Sequence, residues 1–211
     1  MTETDTLIQR YPALQVCRKA IEDAYDMLVG LYEADGKLLV CGNGGSAADA
    51  EHIVGEMMKK GFVRKDISPE YADALRAADP ELGAVLASEL EGSLMAIALH
   101  GHVSLTTAYM NDREPLLCFA QQVSGYGRPG DVLLAISTSG NSRNVLYAAV
   151  AARARGMKVI ALTGANACKL DAFADVCIKV PETETYRIQE LHLPVYHCIC
   201  KMLEAHFFGN E

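Results

Sequence analysis

Apolar residues along this 211-residue chain recur with two different rhythms. From residue 3 to 34 they fall at helical spacing, as in Leu7, Tyr11, Leu14, Ala20, Ile21, Ala24, Met27, Leu28 and Leu31. That spacing predicts one or two amphipathic helices, interrupted only by Pro12 and ending near Asp35-Gly36. A long helix ahead of a main domain often packs on a symmetry mate, so residues 1–34 are expected to be an oligomerisation segment. From residue 35 the rhythm changes. Five short runs, at 37–41, 95–99, 132–136, 158–162 and 176–180, are mostly apolar and continuous rather than alternating. Strands buried on both faces read this way. Helical stretches separate most of them, most clearly at 144–155. Strand and helix in alternation predict an α/β domain over 35–211, a doubly wound five-stranded parallel sheet flanked by helices. Ligands in such a sheet sit at the carboxyl ends of the strands.

Two segments depart from the alternation. Residues 61–92 form an insertion that reads as two short helices, because Ser68-Pro69 and Asp79-Pro80 each set an N-cap before a first-turn proline. Residues 186–208 are helical but contain Pro194, which is expected to kink or break the segment.

Composition narrows the classes of function. Nineteen Lys and Arg stand against 27 Asp and Glu, a formal net charge of −8. No basic run offers a footprint for nucleic acid or an anionic membrane surface. The apolar runs fall far short of the roughly 20 residues of a membrane helix. With no charged-then-apolar leader, the expectation is a cytoplasmic protein. The seven cysteines include no Cys-x-x-Cys pair and lie in apolar stretches, as small hydrophobes of a reducing compartment do. Cys198 and Cys200, two apart on a helix, point in different directions and make a poor metal pair.

The candidate chemistry lies just after two of the strands. The first runs into Cys41-Gly-Asn-Gly-Gly-Ser-Ala-Ala-Asp49, where glycines at 42, 44 and 45 precede a helix beginning near Ser46. A turn of this kind aims N–H groups and a hydroxyl at one point, which suits a phosphate, although a tight connection alone would also explain it. It is neither a dinucleotide fingerprint nor a P-loop, since position 47 is Ala and no lysine is present. The third strand ends in Ile136-Ser-Thr-Ser-Gly-Asn-Ser142. One hydroxyl would cap the next helix, but Ser137, Thr138, Ser139 and Ser142 together exceed that need and predict a phosphate site built without cationic side chains.

Together, Cys41-Gly-Asn-Gly-Gly-Ser-Ala-Ala-Asp-Ala50 and Ala135-Ile-Ser-Thr-Ser-Gly-Asn-Ser142 resemble the sugar isomerase (SIS) domain family over about residues 37–205. More narrowly, they resemble its phosphoheptose isomerases, which interconvert sedoheptulose 7-phosphate and a heptopyranose 7-phosphate. The resemblance implies a flavodoxin-like sheet, a homotetramer with active sites between subunits, and no nucleotide cofactor. It places the sugar phosphate on Ser137, Thr138, Ser139 and Ser142, with Asn43, Gly44 and Ser46 close by and Asp112 of Asn111-Asp112 as a further contact.

An aldose–ketose isomerase moves a proton between neighbouring carbons and needs an acid and a base beside one substrate. The helix after the first turn offers His52 and Glu56, which share a face at i and i+4. The last helix offers Gln189, Glu190, His192 and His197. The resemblance assigns Glu56 and His197 as the acid–base pair, and Gln189 to the substrate. It also implies a zinc ion on His52, Glu56, Gln189 and His197. On an ideal helix residues 189 and 197 lie about 12 Å apart along the axis, so sharing one ion requires side chains that lean together or a bend at Pro194. Two features depart from the resemblance. The 61–92 segment is long, and His100-Gly-His102 stands where threonines and an aspartate are expected; that pair reads as loop or pocket polarity rather than a metal site. The rival reading is a non-catalytic SIS tetramer that binds a protein partner or senses a sugar phosphate. Such initiator-associating relatives lack the acid and the final histidine, which this chain carries.

Overall fold

A computed structural model of the chain describes residues 2–59, 61–63 and 65–209. Its strands are β1 (Leu38–Cys41), β2 (Ala96–Ala98), β3 (Val132–Ile136), β4 (Lys158–Thr163) and β5 (Val176–Lys179). Around them lie α1 (Glu3–Arg10), α2 (Arg18–Glu33), α3 (Gly45–Met58), α4 (Pro69–Ala78), α5 (Pro80–Glu89), α6 (Val103–Asp112), α7 (Cys118–Tyr126), α8 (Arg143–Ala154) and α9 (Thr185–Phe208). The sheet order is β2-β1-β3-β4-β5 and every pairing is parallel. This is the doubly wound, flavodoxin-like order. The predicted strands are present, whereas α6 and α7 lie in a stretch whose apolar pattern is too weak to mark them.

Why the strands read as unbroken apolar runs is clear from their two faces. Successive residues point to opposite sides of a strand, and here both sides are covered. Leu38, Val40, Leu134, Ile136, Ile160 and Leu162 pack in one core with residues of α2, α3 and α9. Leu39, Cys41, Leu133, Ala135, Val159 and Ala161 pack in the other with α7 and α8. Five of the seven cysteines are buried and all are free thiols.

The N-terminal segment is two α-helices joined by a 3₁₀ turn, Pro12–Cys17. Thr2 and Asp5 close a capping box at its start. Its apolar stripe, Leu7, Leu14, Ile21, Ala24, Leu28 and Leu31, is buried in this chain's own core. The insertion also folds as the caps predict. Ser68 Oγ accepts from Tyr71 N, and Asp79 Oδ1 accepts from Glu81 N and Leu82 N. Its two ends meet where Asp66 and Glu91 form an antiparallel bridge and Gly92 N donates to Lys65 O at 2.9 Å. The hairpin therefore leaves the domain and returns at one point, so its length does not disturb the sheet.

The expected break at Pro194 does not occur, and α9 runs through it. Proline removes one N–H, but the helix is anchored by buried side chains on both sides, Ile188 and His192 before it and Val195, Ile199 and Leu203 after it. Near its end α9 carries Glu204, which is fully buried and pairs with the equally buried Lys65 at 2.7 Å. Glu204 also accepts from the backbone N–H of Gly61, Phe62 and Val63 at 2.6–3.0 Å. Lys65 Nζ in turn donates to the carbonyls of Glu56, Met57 and Lys59. This pair ties the C-terminal end of α3 to α9.

Burial alone would raise the pKa of Glu204, but Lys65 and the three N–H groups hold it below the usual carboxylate range. A depressed folded-state pKa gives stability that is full above the unfolded value of 4.5 and is lost as the pH falls through the folded value. Glu204→Gln leaves Lys65 charged in the interior and should cost about 3 kcal/mol in urea unfolding at pH 7. The gap to wild type should narrow in acid; a gap independent of pH would contradict the pairing.

Candidate active site

β1 and β3 are neighbours, but the chain leaves them toward opposite faces, into α3 on one side and α8 on the other. Between the two departing turns a crevice must open at the carboxyl end of the sheet. It holds a cavity of about 320 Å³ lined by Asn43, Gly44, Ser46, Ser137, Thr138, Ser142, Thr185 and Gln189. The N-termini of α3 and α8 flank it. The turn after β1 uses Gly44 at φ +57°, a conformation that favours glycine. Gly45 is needed for a different reason, since a Cβ there would lie 2.6 Å from the Gln189 amide nitrogen. The two turns are joined by reciprocal amide bonds: Asn43 Nδ2 donates to Asn144 Oδ1 at 3.0 Å, and Asn144 Nδ2 to Asn43 Oδ1 at 2.7 Å.

The hydroxyls divide between tasks. Ser142 is the N-cap residue of α8, but its side chain makes no capping bond and accepts instead from Ser137 Oγ at 3.1 Å. Ser137, Thr138 and Ser142 thus face the cavity. Ser139 lies outside it, with its Oγ accepting from Asn141 N within the turn and its side facing a neighbouring cavity of about 280 Å³. Among the described residues no lysine or arginine lines the cradle, and Arg143 reaches along α8 to the Tyr147 hydroxyl. Asp112, the last residue of α6, is exposed, accepts from Asn111 Nδ2, and is not part of this cradle.

Further along α3, and on α9, which brings Thr185 and Gln189 to the cavity, His52, Glu56 and His197 come together. Their ligand atoms lie within 4.8 Å of one another. His52 Nε2 is 3.4 Å from Glu56 Oε1 and 3.4 Å from His197 Nε2. The other oxygen, Glu56 Oε2, is buried without a hydrogen-bond partner among the described residues. Burial, and next the His52 ring, lower the pKa of His197, which favours its neutral imidazole. Gln189 lies about two helical turns before His197, with its amide at the cradle rather than beside the imidazoles. His192 does not join the site. It is fully buried, its Nε2 lies 3.4 Å from Thr163 O, and burial pushes its pKa down to about 4, so it is a neutral core histidine. His100 faces Glu51 and His102 lies against the Tyr126 ring; among the described residues neither belongs to a cluster of three ligands. The sequence reading missed Asn144, Phe62, whose ring lies 6.1 Å from that of His197, and the pair Asp49 and Tyr196. Only Asp49, one turn before His52 on α3, had a readable signal.

The SIS domain family matches residues 12–91 and 90–164. The chain is 41% identical over 188 residues to the phosphoheptose isomerase of Rhodospirillum rubrum, covering 89% of this chain and 86% of the relative. It is 43% identical over 195 residues to that of Thiobacillus denitrificans, covering 90% and 85%. The chain belongs to the SIS domain family, with the phosphoheptose isomerases. The solved phosphoheptose isomerase of Neisseria gonorrhoeae has the same fold, with a TM-score of 0.74 at 35% identity, covering 96% of this chain and 94% of that one. Among the described residues of this SIS isomerase, no helix is long and apolar enough to cross a membrane.

In a SIS domain with this cradle, hydroxyls bound to a phosphate dianion make charge-assisted hydrogen bonds, each contributing about 1.5–3 kcal/mol. Ser137→Ala and Ser142→Ala should each raise KM for a phosphorylated sugar about tenfold or more. Because the Ser142 side chain makes no cap, its loss should leave thermal stability nearly unchanged. Steady-state kinetics beside a melting curve check both; a fall in Tm with unchanged KM would return Ser142 to a structural role.

Proposed function

We propose that this chain interconverts sedoheptulose 7-phosphate and an aldoheptose 7-phosphate through an enediol. One arrangement supports the reading: the cavity lined by Ser46 of α3 and Gln189 of α9 lies about two to three turns before His52, Glu56 and His197 on those two helices. That separation suits a sugar of several carbons with its phosphate at one end and its carbonyl at the other. The cradle's hydroxyls and the N-termini of α3 and α8 would hold the phosphate. The Glu56 carboxylate would take a proton from the carbon beside the carbonyl and return it to the former carbonyl carbon. The His197 imidazole would protonate the carbonyl oxygen and accept the proton of the neighbouring hydroxyl. The exchange needs no outside oxidant or reductant, because the proton and electron pair stay within the sugar.

Two imidazoles and a carboxylate are a donor set that zinc accepts, and the ligand atoms of His52, Glu56 and His197 lie within 4.8 Å of one another. His52, Glu56 and His197 would hold the ion, with Gln189 as the fourth ligand that the family resemblance adds. When bound, such an ion polarises sugar oxygens as a Lewis acid. The same reading takes the protein as a cytoplasmic homotetramer whose sites lie between subunits. Asp112, exposed and remote from this chain's own cradle, would then contact the substrate of a neighbouring copy.

Glu56→Gln should bind the sugar phosphate normally and lose about 10²–10⁴-fold in turnover, the usual range for a general acid–base residue. Near-normal turnover would remove Glu56 from the base role. Dialysis against a chelator should abolish activity and added zinc should restore it; unchanged turnover after verified metal loss would remove the ion from catalysis. The function itself is tested with a panel of ketose and aldose phosphates in deuterated solvent, read by NMR. Exchange at C1 or C2 of the seven-carbon substrate is expected. No exchange with any sugar would favour a phosphate-sensing or partner-binding module.

A further inference from the structure

Tyr196 precedes His197 on α9, and its ring is buried at 3% exposure in the core between the sheet and α3. Its hydroxyl lies 2.9 Å from His52 Nδ1 and 3.3 Å from Asp49 Oδ1. We propose that Tyr196 is a positioning residue that fixes the tautomer and orientation of His52, and thereby sets the affinity of the His52–Glu56–His197 cluster for a divalent cation. The inference rests on the cation reading of that cluster.

Donor and acceptor counting gives the direction of both bonds. An ionised carboxylate only accepts, so the single phenolic proton goes to Asp49 Oδ1. The phenol oxygen is then left to accept, and the group facing it is His52 Nδ1, which must carry the ring's proton. His52 Nε2 keeps its lone pair, and this is the atom that lies 3.4 Å from both Glu56 Oε1 and His197 Nε2. With the proton on Nε2 instead, a hydrogen would occupy the point where the three ligand atoms converge. A buried tyrosine hydroxyl needs one partner, and Asp49 alone would satisfy it. The closer contact, to His52, therefore indicates a task beyond packing. Ligating histidines depend on a partner at their second nitrogen, and loss of that partner typically costs 10–100-fold in metal affinity.

Tyr196→Phe removes the hydroxyl and keeps the ring in the core. In metal-stripped protein with ¹⁵N-labelled histidine, a long-range ¹H–¹⁵N correlation above the histidine titration range reads the tautomer directly. Wild type should show His52 protonated at Nδ1, and the variant a mixture of tautomers. Zinc affinity, measured by competition with a chromophoric chelator, should fall 10–100-fold in the variant, with circular dichroism and sugar-phosphate binding at the cradle unchanged. Nε2 protonation in wild type, or an unaltered zinc affinity in the folded variant, would overturn the proposal. If wild type takes up no zinc, the cation reading fails on that measurement alone. The tautomer data then decide the positioning role, which stands if the fixed Nδ1–H is lost in Tyr196→Phe and falls if it persists.

Discussion

The parting of the chain at β1 and β3 is the constraint on which the rest of this structure depends. Two strands paired residue for residue, Leu38 with Val132 through Cys41 with Ala135, send their helices to opposite faces of the sheet. Neither turn can fill the gap this opens. What closes it from below is the Asn43–Asn144 amide pair, and what flanks it are the first turns of α3 and α8. The cradle is therefore not an addition to the fold. Any sequence that winds a parallel sheet in both directions creates such a crevice, and this one lines it with serine, threonine and asparagine.

That lining resolves an electrostatic conflict. A protein of formal charge −8 repels a dianion at long range, and among the described residues no cationic side chain lines the cradle to offset this. In the proposed reading the attraction is local, from hydroxyls and helix dipoles whose influence falls off within about one turn. Leaving Ser142 uncommitted to capping matters for the same reason, since a hydroxyl spent on the helix would not be available to a ligand. Selectivity by this means favours a group that can enter and fill the donor set, rather than any anion drawn by a diffuse field.

How much could be read from the sequence follows the distance along the chain over which each feature is determined. The strands, the two glycine- and serine-rich turns and the caps at Ser68 and Asp79 are fixed by neighbouring residues, and all were legible. So was the i, i+4 relation of His52 and Glu56. Ser139 shows the limit of composition: four hydroxyls in six residues look alike, yet backbone geometry sends this one into its own turn. Pro194 does not break α9, because its local penalty is outweighed by burial on both sides. Tyr196 and Asp49 are 147 residues apart in sequence, and Lys65 and Glu204 read singly as surface charges. Such pairs are set by how α3 packs on α9, which no local pattern states.

The packing of α3 on α9 also shapes the reactive carboxylate. Gly61 sits directly over Glu56, where a Cβ would collide with Oε2. Gly61 is held there because its N–H donates to the buried Glu204, which Lys65 anchors to the end of α3. The two oxygens of Glu56 are thereby made unequal: Oε1 faces the imidazoles, and Oε2 is kept from water without a partner. An unpartnered buried carboxylate oxygen is costly, and a free loop would relax to solvate it. The Lys65–Glu204 pair holds this segment through the N–H groups of Gly61, Phe62 and Val63. In this fold the interior ion pair and the His52–Glu56–His197 cluster are one arrangement, because Glu204 shares α9 with His197 and Lys65 donates to the carbonyl of Glu56 itself.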